Sequence, residues 1–376
     1  MCSEKNTGGM MFEETPIKSK TMVRYISRSP RVPRAARCIE GGELETLTTN
    51  GLNRRFYKRF CAGILIAMCL AACGGGGASG TGTAAGGPVV TARDTTRGWV
   101  AVASSQDGSK LVAAVMGGQL YTSTNSGVTW TPREMTRNWQ AVASSSDGSK
   151  LVAGVKSGYL YTSADFGVSW SPYVLTMPWN SVASSADGSK LLAAAIGGEL
   201  YPSMDSGTSW SGVTGSGRYW MSVASSTDGS KLVAADHGNS LLGMGTGGQL
   251  YTSTNSGASW TARDSSRYWT AVASSSDGSK LVAATWGGNL YTSTDSGATW
   301  TARESARNWI SVASSADGSR LVAAENFGKL YASDDSGVTW IILDVTARNW
   351  QQIASSADGS KLVVVVQGGY IYTIVR

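Results

Sequence analysis

The sequence is poor in the residues on which most enzyme chemistry depends. Its 376 residues include one histidine, His237, and five cysteines. All five cysteines (Cys2, Cys38, Cys61, Cys69 and Cys73) fall within the first 73 residues. The rest of the chain therefore lacks the thiols for disulfides and the Cys/His clusters that hold zinc. Charged residues make up 15% of the chain, which excludes the charge-rich compositions that stay unfolded. The apolar run at 61–72 is 12 residues long, short of the roughly 20 that cross a bilayer. No P-loop, Ser-His-Asp arrangement or zinc signature occurs, so no cofactor or metal is implied.

What is present divides into two parts. Residues 1–73 carry 12 Lys+Arg against 6 Asp+Glu, whereas 74–376 carry 20 of each. The net charge of +6 thus belongs to the first part and does not argue for a nucleic-acid partner. Within that part, Arg54-Arg55-Phe56-Tyr57-Lys58-Arg59 precedes the apolar run 61–72, the order of a secretory signal peptide. The run ends Leu70-Ala71-Ala72-Cys73, which resembles the bacterial lipobox. That resemblance implies lipidation of Cys73, removal of the signal peptide 52–72, and a membrane-lipid partner in a bacterial envelope, at the outer membrane or cell surface. Residues 73–87, rich in glycine, read as a flexible tether. Residues 1–51 precede a complete signal; they are either a leader from a start codon placed too early or a true extension.

Residues 88–376 are one phrase written seven times. Trp-x-x-(Val/Ile)-Ala-Ser-Ser-x-Asp-Gly-Ser-(Lys/Arg)-Leu begins at Trp99, Trp139, Trp179, Trp220, Trp269, Trp309 and Trp350. A period near 40 without helical patterning fits one four-stranded propeller blade. In the unit from Trp269, strand a (WTAVASS) leads through Asp277-Gly278 to strand b (KLVAAT). Gly287-Gly288 then turns into strand c (NLYTST), and Asp295-Ser296-Gly297 into strand d (ATWTAR). The last unit stops after strand c, while Val89-Val90-Thr91-Ala92-Arg93 matches strand d elsewhere. The expected fold is therefore an all-β, seven-bladed propeller, monomeric, whose N-terminal strand closes the last blade.

The turn between c and d repeats as Ser-x-(Asp/Asn)-x-Gly-x-(Ser/Thr)-Trp, with Asn125, Asp165, Asp205, Asn255, Asp295 and Asp335 at its third position. It resembles the Asp-box of the BNR, sialidase-like propellers. Asparagine at two of the six positions keeps the acceptor without the charge, which favours a structural role over cation or sugar ligation. The chain is also similar to the photosystem II assembly-factor propellers, which implies seven blades and a scaffold role. A sialidase needs an arginine triad and a Tyr/Glu pair; no Arg-Ile-Pro motif occurs here. No catalytic residue is assigned; for a two-carboxylate glycosidase the candidates on the loop face are Glu199, Asp236 and Glu325, but nothing marks any pair of them.

Candidate binding residues fall on the rim formed by the b–c and d–a connections. Arg97, Arg137, Arg218, Arg267, Arg307 and Arg348 each stand two residues before a strand-a Trp, with Met177 breaking the series. Two readings stand side by side. The arginines ring the channel mouth and bind anionic glycans or an acidic partner. Alternatively, they pair locally with Asp94, Glu134, Asp264, Glu304 and Asp344, or stack on Trp. The b–c turns, where the units differ, add Lys156, Trp286 and His237, the last beside a nine-residue insertion. The expected function is non-catalytic binding of a glycan or envelope protein. A glycoside hydrolase and a purely structural surface protein are the alternatives. Arginines would face one side and turn carboxylates the other.

Overall fold

The computed structural model describes residues 87–238 and 246–376. All belong to the second of two units into which the chain divides, Ser79–Arg376. The expected leader, signal peptide, Cys73, the tether up to residue 86 and part of the fourth-unit insertion lie outside the described residues.

Each repeat folds for local reasons. In the unit from Trp269, Trp269–Ser274, Leu281–Thr285, Gly288–Ser293 and Thr301–Arg307 form one antiparallel sheet in the order a-b-c-d. The a–b turn needs a left-handed residue, and Gly278 supplies it at φ 66°. The Asp277 carboxylate accepts hydrogen bonds from the Ser275 hydroxyl at 2.6 Å and the Ser279 amide at 2.9 Å. Among the described residues there is no α-helix, and the strand pairings are antiparallel.

The core lies between units rather than within them. Seven buried clusters form, and each joins two consecutive units. One of them brings Val363, Val365 and Ile371 of the last unit against Trp99 and Val102 of the first. The seven strand-a tryptophans are each at most 1% exposed. Each packs edge-on against a strand-c tyrosine, as Trp269 does against Tyr291 at 5.2 Å.

A second set of contacts runs the same way. The amides of Gln106, Ser146, Ala186, Thr227, Ser276 and Ala316 each donate to the carbonyl of the next residue in that series, ending on Ala357. The Ala357 amide donates back to Gln106, and all seven bonds measure 2.7–2.8 Å. The N-terminal strand lies antiparallel to the C-terminal one, with Val89 opposite Val375 and Arg93 opposite Ile371.

Two features differ from the four short strands expected of each unit. Strands d and a run on as one in Val89–Ser104, Thr131–Ser144 and Ser171–Ser184, and b and c do so in Leu111–Ser123, Leu151–Ser163 and Lys361–Val375. The reason is that the b–c turn pairs with the following d–a connection, as in Met116 with Asn138 and Gly118 with Arg137. The third unit forms no strand d. Gly212, Gly215 and Gly217 weaken that segment, and Pro202 in the partner strand lacks a donor. Two backbone bonds hold it, Ser211 to Pro202 and Val213 to Leu200.

Candidate functional site

The a-b-c-d order puts the a–b and c–d turns at one rim and the b–c and d–a connections at the other. Strand a lines the centre, where two cavities open towards opposite rims.

At the a–b and c–d rim the turn carboxylates hold their own loops. Asp295 accepts from the Thr299 amide at 2.9 Å, the Thr299 hydroxyl at 2.6 Å and the Ser293 hydroxyl at 2.8 Å. Asp165, Asp205 and Asp335 repeat the pattern. Asn125 and Asn255 accept from Thr129 and Ser259 in the same place. The tryptophan that ends the turn donates to the turn glycine, as Trp300 does to Gly297 at 3.1 Å. Hydroxyl and amide donors hold the Asp165, Asp205, Asp295 and Asp335 carboxyls down at about 2.

This rim is not a one-sign surface, which corrects the expectation of carboxylates gathered on one side. The Lys/Arg that follows each Asp-Gly-Ser reaches the aspartate turn of the next unit. Lys110 Nζ donates to the Asp147 carbonyl at 2.9 Å, Arg320 to that of Asp358 at 3.0 Å, and Lys361 to that of Asp107 at 2.9 Å. Lys150, Lys190, Lys231 and Lys280 likewise lower the carboxyls of Asp187, Asp228, Asp277 and Asp317, adding to stronger hydrogen bonds from neighbouring serines. The signal was in the repeated phrase, which carries a cation three residues after every Asp-Gly aspartate.

At the other rim the arginines sit between units. Arg97 pairs with Asp94 at 3.4 Å, Arg137 with Glu134 at 3.5 Å, Arg267 with Asp264 at 3.6 Å and Arg307 with Glu304 at 3.5 Å. Arg348 pairs with Asp344 at 2.5 Å. Each also lies over the strand-c tyrosine of the next unit, at 4.4–4.8 Å from Tyr121, Tyr161, Tyr291, Tyr331 and Tyr372. Arg218 stacks on Tyr251 at 4.6 Å. The cavity on this side is lined by strand-a residues, and none of these arginines is among them. The placement is that of the local-pairing reading, not of a ring around the mouth: the guanidinium is drawn to the aromatic face and to its own loop's carboxylate.

The b–c turns leave large apolar side chains in solvent: Trp286 is 41% exposed, Phe327 70%, Tyr370 42% and Met116 38%. Lys156 is exposed at the same turn position. His237 packs against Tyr268 at 5.3 Å, and its Nδ1 lies 3.2 Å from the Trp269 carbonyl, so it bridges two units. The three candidate carboxylates are not brought together. Asp236 is buried and accepts from the Gly238 amide at 2.9 Å. Glu325 faces Arg307 at 3.9 Å and Tyr331 at 3.4 Å. Glu199 lies in the third unit, beside Tyr201.

One group was overlooked in the sequence. The residue after each strand-a tryptophan, in order Val100, Gln140, Asn180, Met221, Thr270, Ile310 and Gln351, lines a cavity of about 230 Å³ opening on this rim. Its signal was the wide variation of the position after the tryptophan, inside a phrase whose tryptophan and Ser-Ser never change.

No protein-family model matches the chain, and no curated protein matches its sequence. Solved structures do. YCF48 from Cyanidioschyzon merolae is 17% identical with a TM-score of 0.60, covering 77% of this chain and 98% of its own. A structure of YCF48 bound to D1 peptide is 17% identical with a TM-score of 0.61, covering 77% and 97%. The Niastella koreensis GH74 enzyme is 21% identical with a TM-score of 0.55 over 75% of this chain, which spans 43% of that one. With these likenesses and the antiparallel repeats, the fold is a β-propeller. The fold is shared by a protein solved with a bound peptide and by an enzyme, so it does not choose between binding and catalysis.

Proposed function

We propose that this chain is a closed seven-bladed β-propeller with Asp-box turns that binds a protein partner through its b–c and d–a rim and catalyses no reaction. Closure is supported by the pairing of Val89–Arg93 with Ile371–Val375 and by the backbone circuit that returns from Ala357 to Gln106. The observation that carries the binding reading is the exposure of Met116, Trp286, Phe327 and Tyr370 at the b–c turns of one rim. Exposed aromatic and methionine side chains on a rigid frame are the composition of an interface core. A protein partner is favoured over a glycan by the related fold solved with a peptide. The glycosidase alternative draws on the GH74 likeness, but its carboxylates are separated or already engaged.

The test is a peptide array and a glycan array probed with the full chain. Trp286→Ala combined with Phe327→Ser should weaken peptide binding at least tenfold, while Val338→Ser, exposed on the opposite rim, should leave it intact. Equal signals from the rim variant and the parent would end this reading; binding confined to glycans would replace the partner class. We further propose that Cys73 is lipidated in a bacterial envelope. A clickable palmitate analogue should label the chain, and Cys73→Ser should abolish the label. Label that persists in Cys73→Ser removes the anchor.

A further inference from the structure

The two ends of the central channel are built from the same strand but follow opposite rules. Towards the a–b rim every unit ends strand a with Ser-Ser, and these serines line a cavity of about 250 Å³. Towards the b–c rim, the residue after each tryptophan takes six different identities in seven units. The tryptophan before it never changes. The residue two places further on is valine in six units and isoleucine in the seventh. Of the positions in the repeated phrase that line either cavity, this one is the most varied.

The lining of that cavity is uncharged, and its hydrogen bonding is incomplete in a specific way. The Oε1 of Gln140 is sealed from solvent and has no hydrogen-bond partner, while its Nε2 reaches Asn180 Oδ1 at 3.5 Å. Such an amide gains by turning into the cavity towards a donor. The inward amides of strand a differ in their partners. The inward amides of Val102, Val223, Val272 and Ile353 each donate to a side chain of the preceding unit: Gln352, Ser181, Ser222 and Ser311, at 2.9–3.1 Å. Val142, Val182 and Val312 occupy the same place, but the preceding unit there offers Ala101, Ala141 or Ala271, which cannot accept. Val142 and Val182 belong to the units of Gln140 and Asn180, so the unfilled acceptor of Gln140 and two amides to which the preceding unit offers no side-chain acceptor share one side of the cavity.

We infer that this mouth binds an uncharged, hydroxyl-bearing small molecule of sugar or polyol size. A hydroxyl gives a proton to Gln140 and takes one from a valine amide with a single oxygen. A carboxylate only accepts and an ammonium only donates, and the lining has no counter-charge for either. Met221, Val100 and Ile310 provide apolar wall for the carbon skeleton. The site is separate from the aromatic rim and does not depend on the protein partner proposed above.

Saturation-transfer NMR on the full chain tests it, with glucose and myo-inositol as neutral probes and glucuronate as the charged one. Transfer to at least one neutral probe is expected, with glucuronate at least tenfold weaker. Gln140→Leu should reduce the transfer at least tenfold, and Met221→Trp, which fills the mouth, should abolish it. Val338→Ser should change nothing. Circular dichroism checks that each variant is folded, and Gln351→Leu replaces any that is not. No transfer to either neutral probe, equal transfer to glucuronate, or undiminished transfer in Gln140→Leu would each overturn the inference. Probe released by raising the concentration of a rim-bound peptide would overturn its separateness from the rim.

Discussion

The same small side chain does a different job at each place in the repeat. Aspartate at the a–b and c–d turns is worth its charge only because serine and threonine donors surround it. Eleven such carboxyls lie below their ordinary value, with hydrogen bonds from turn hydroxyls as the leading cause. Their folded values lie below the unfolded value of about 3.9, so the stability they add is present in full only above about pH 5. It is lost progressively as pH falls from there through the lowered folded values. Urea midpoints should therefore be flat from pH 7 to about 5 and fall steadily below, and Asp295→Asn should soften that fall. Tryptophan gives a second contrast. Trp220 Nε1 donates to the Ser216 carbonyl at 2.9 Å, whereas Trp309 Nε1 is buried without a partner. Trp220→Phe should cost about 1 kcal/mol more than Trp309→Phe in urea unfolding, because only the first loses a hydrogen bond. Turn aspartates were readable from the sequence. The Trp309 orphan was not, since it depends on the angle at which a preceding loop passes.

At the scale of the element, the strands were legible because each turn announces itself with Asp-Gly or an eight-residue signature. What the sequence concealed was how far the ladders continue. Turn and connection pair with each other, so Met116 meets Asn138 and the strands merge. Pairing of that kind is a relation between two segments, and neither segment carries it alone. The arginines were half legible. Their i, i+3 carboxylates could be counted, but the tyrosine belongs to the following unit and was not foreseen. The contact predicts how to repair the break in the series. Tyr201 packs on Trp179 at 5.1 Å as its counterparts do, but Met177 stands where they have arginine. Met177→Arg should lay a guanidinium over Tyr201 within reach of Glu199, and raise stability by about 0.5–1 kcal/mol. An unchanged or lowered urea midpoint would show that the third unit, without its strand d, cannot hold the side chain.

For the whole molecule, stability is shared among seven interfaces, and one of them joins the two ends of the described chain. Deleting the residues through Arg93 would leave Ile371–Val375 as an unpaired edge and uncover Ile374. The melting temperature should drop by roughly 10 °C or more, and light scattering should show concentration-dependent association. A truncated chain that stays monodisperse with an unchanged midpoint would mean that the seam contributes little. The global plan was the most legible level, because repetition multiplies a weak local signal seven times. The cavity lining was the least, because it appears only when seven distant positions are superposed. One detail of the seam has a further effect. Thr91 lies opposite Thr373 just as Thr131 lies opposite Thr122, so the break between Val375 and Val89 falls where other units carry the c–d turn. Entry and exit therefore share one rim, and the molecule has a fixed handle side. A fusion partner joined at Arg376 would therefore leave the propeller from its aspartate–lysine rim, the rim opposite Trp286 and Phe327.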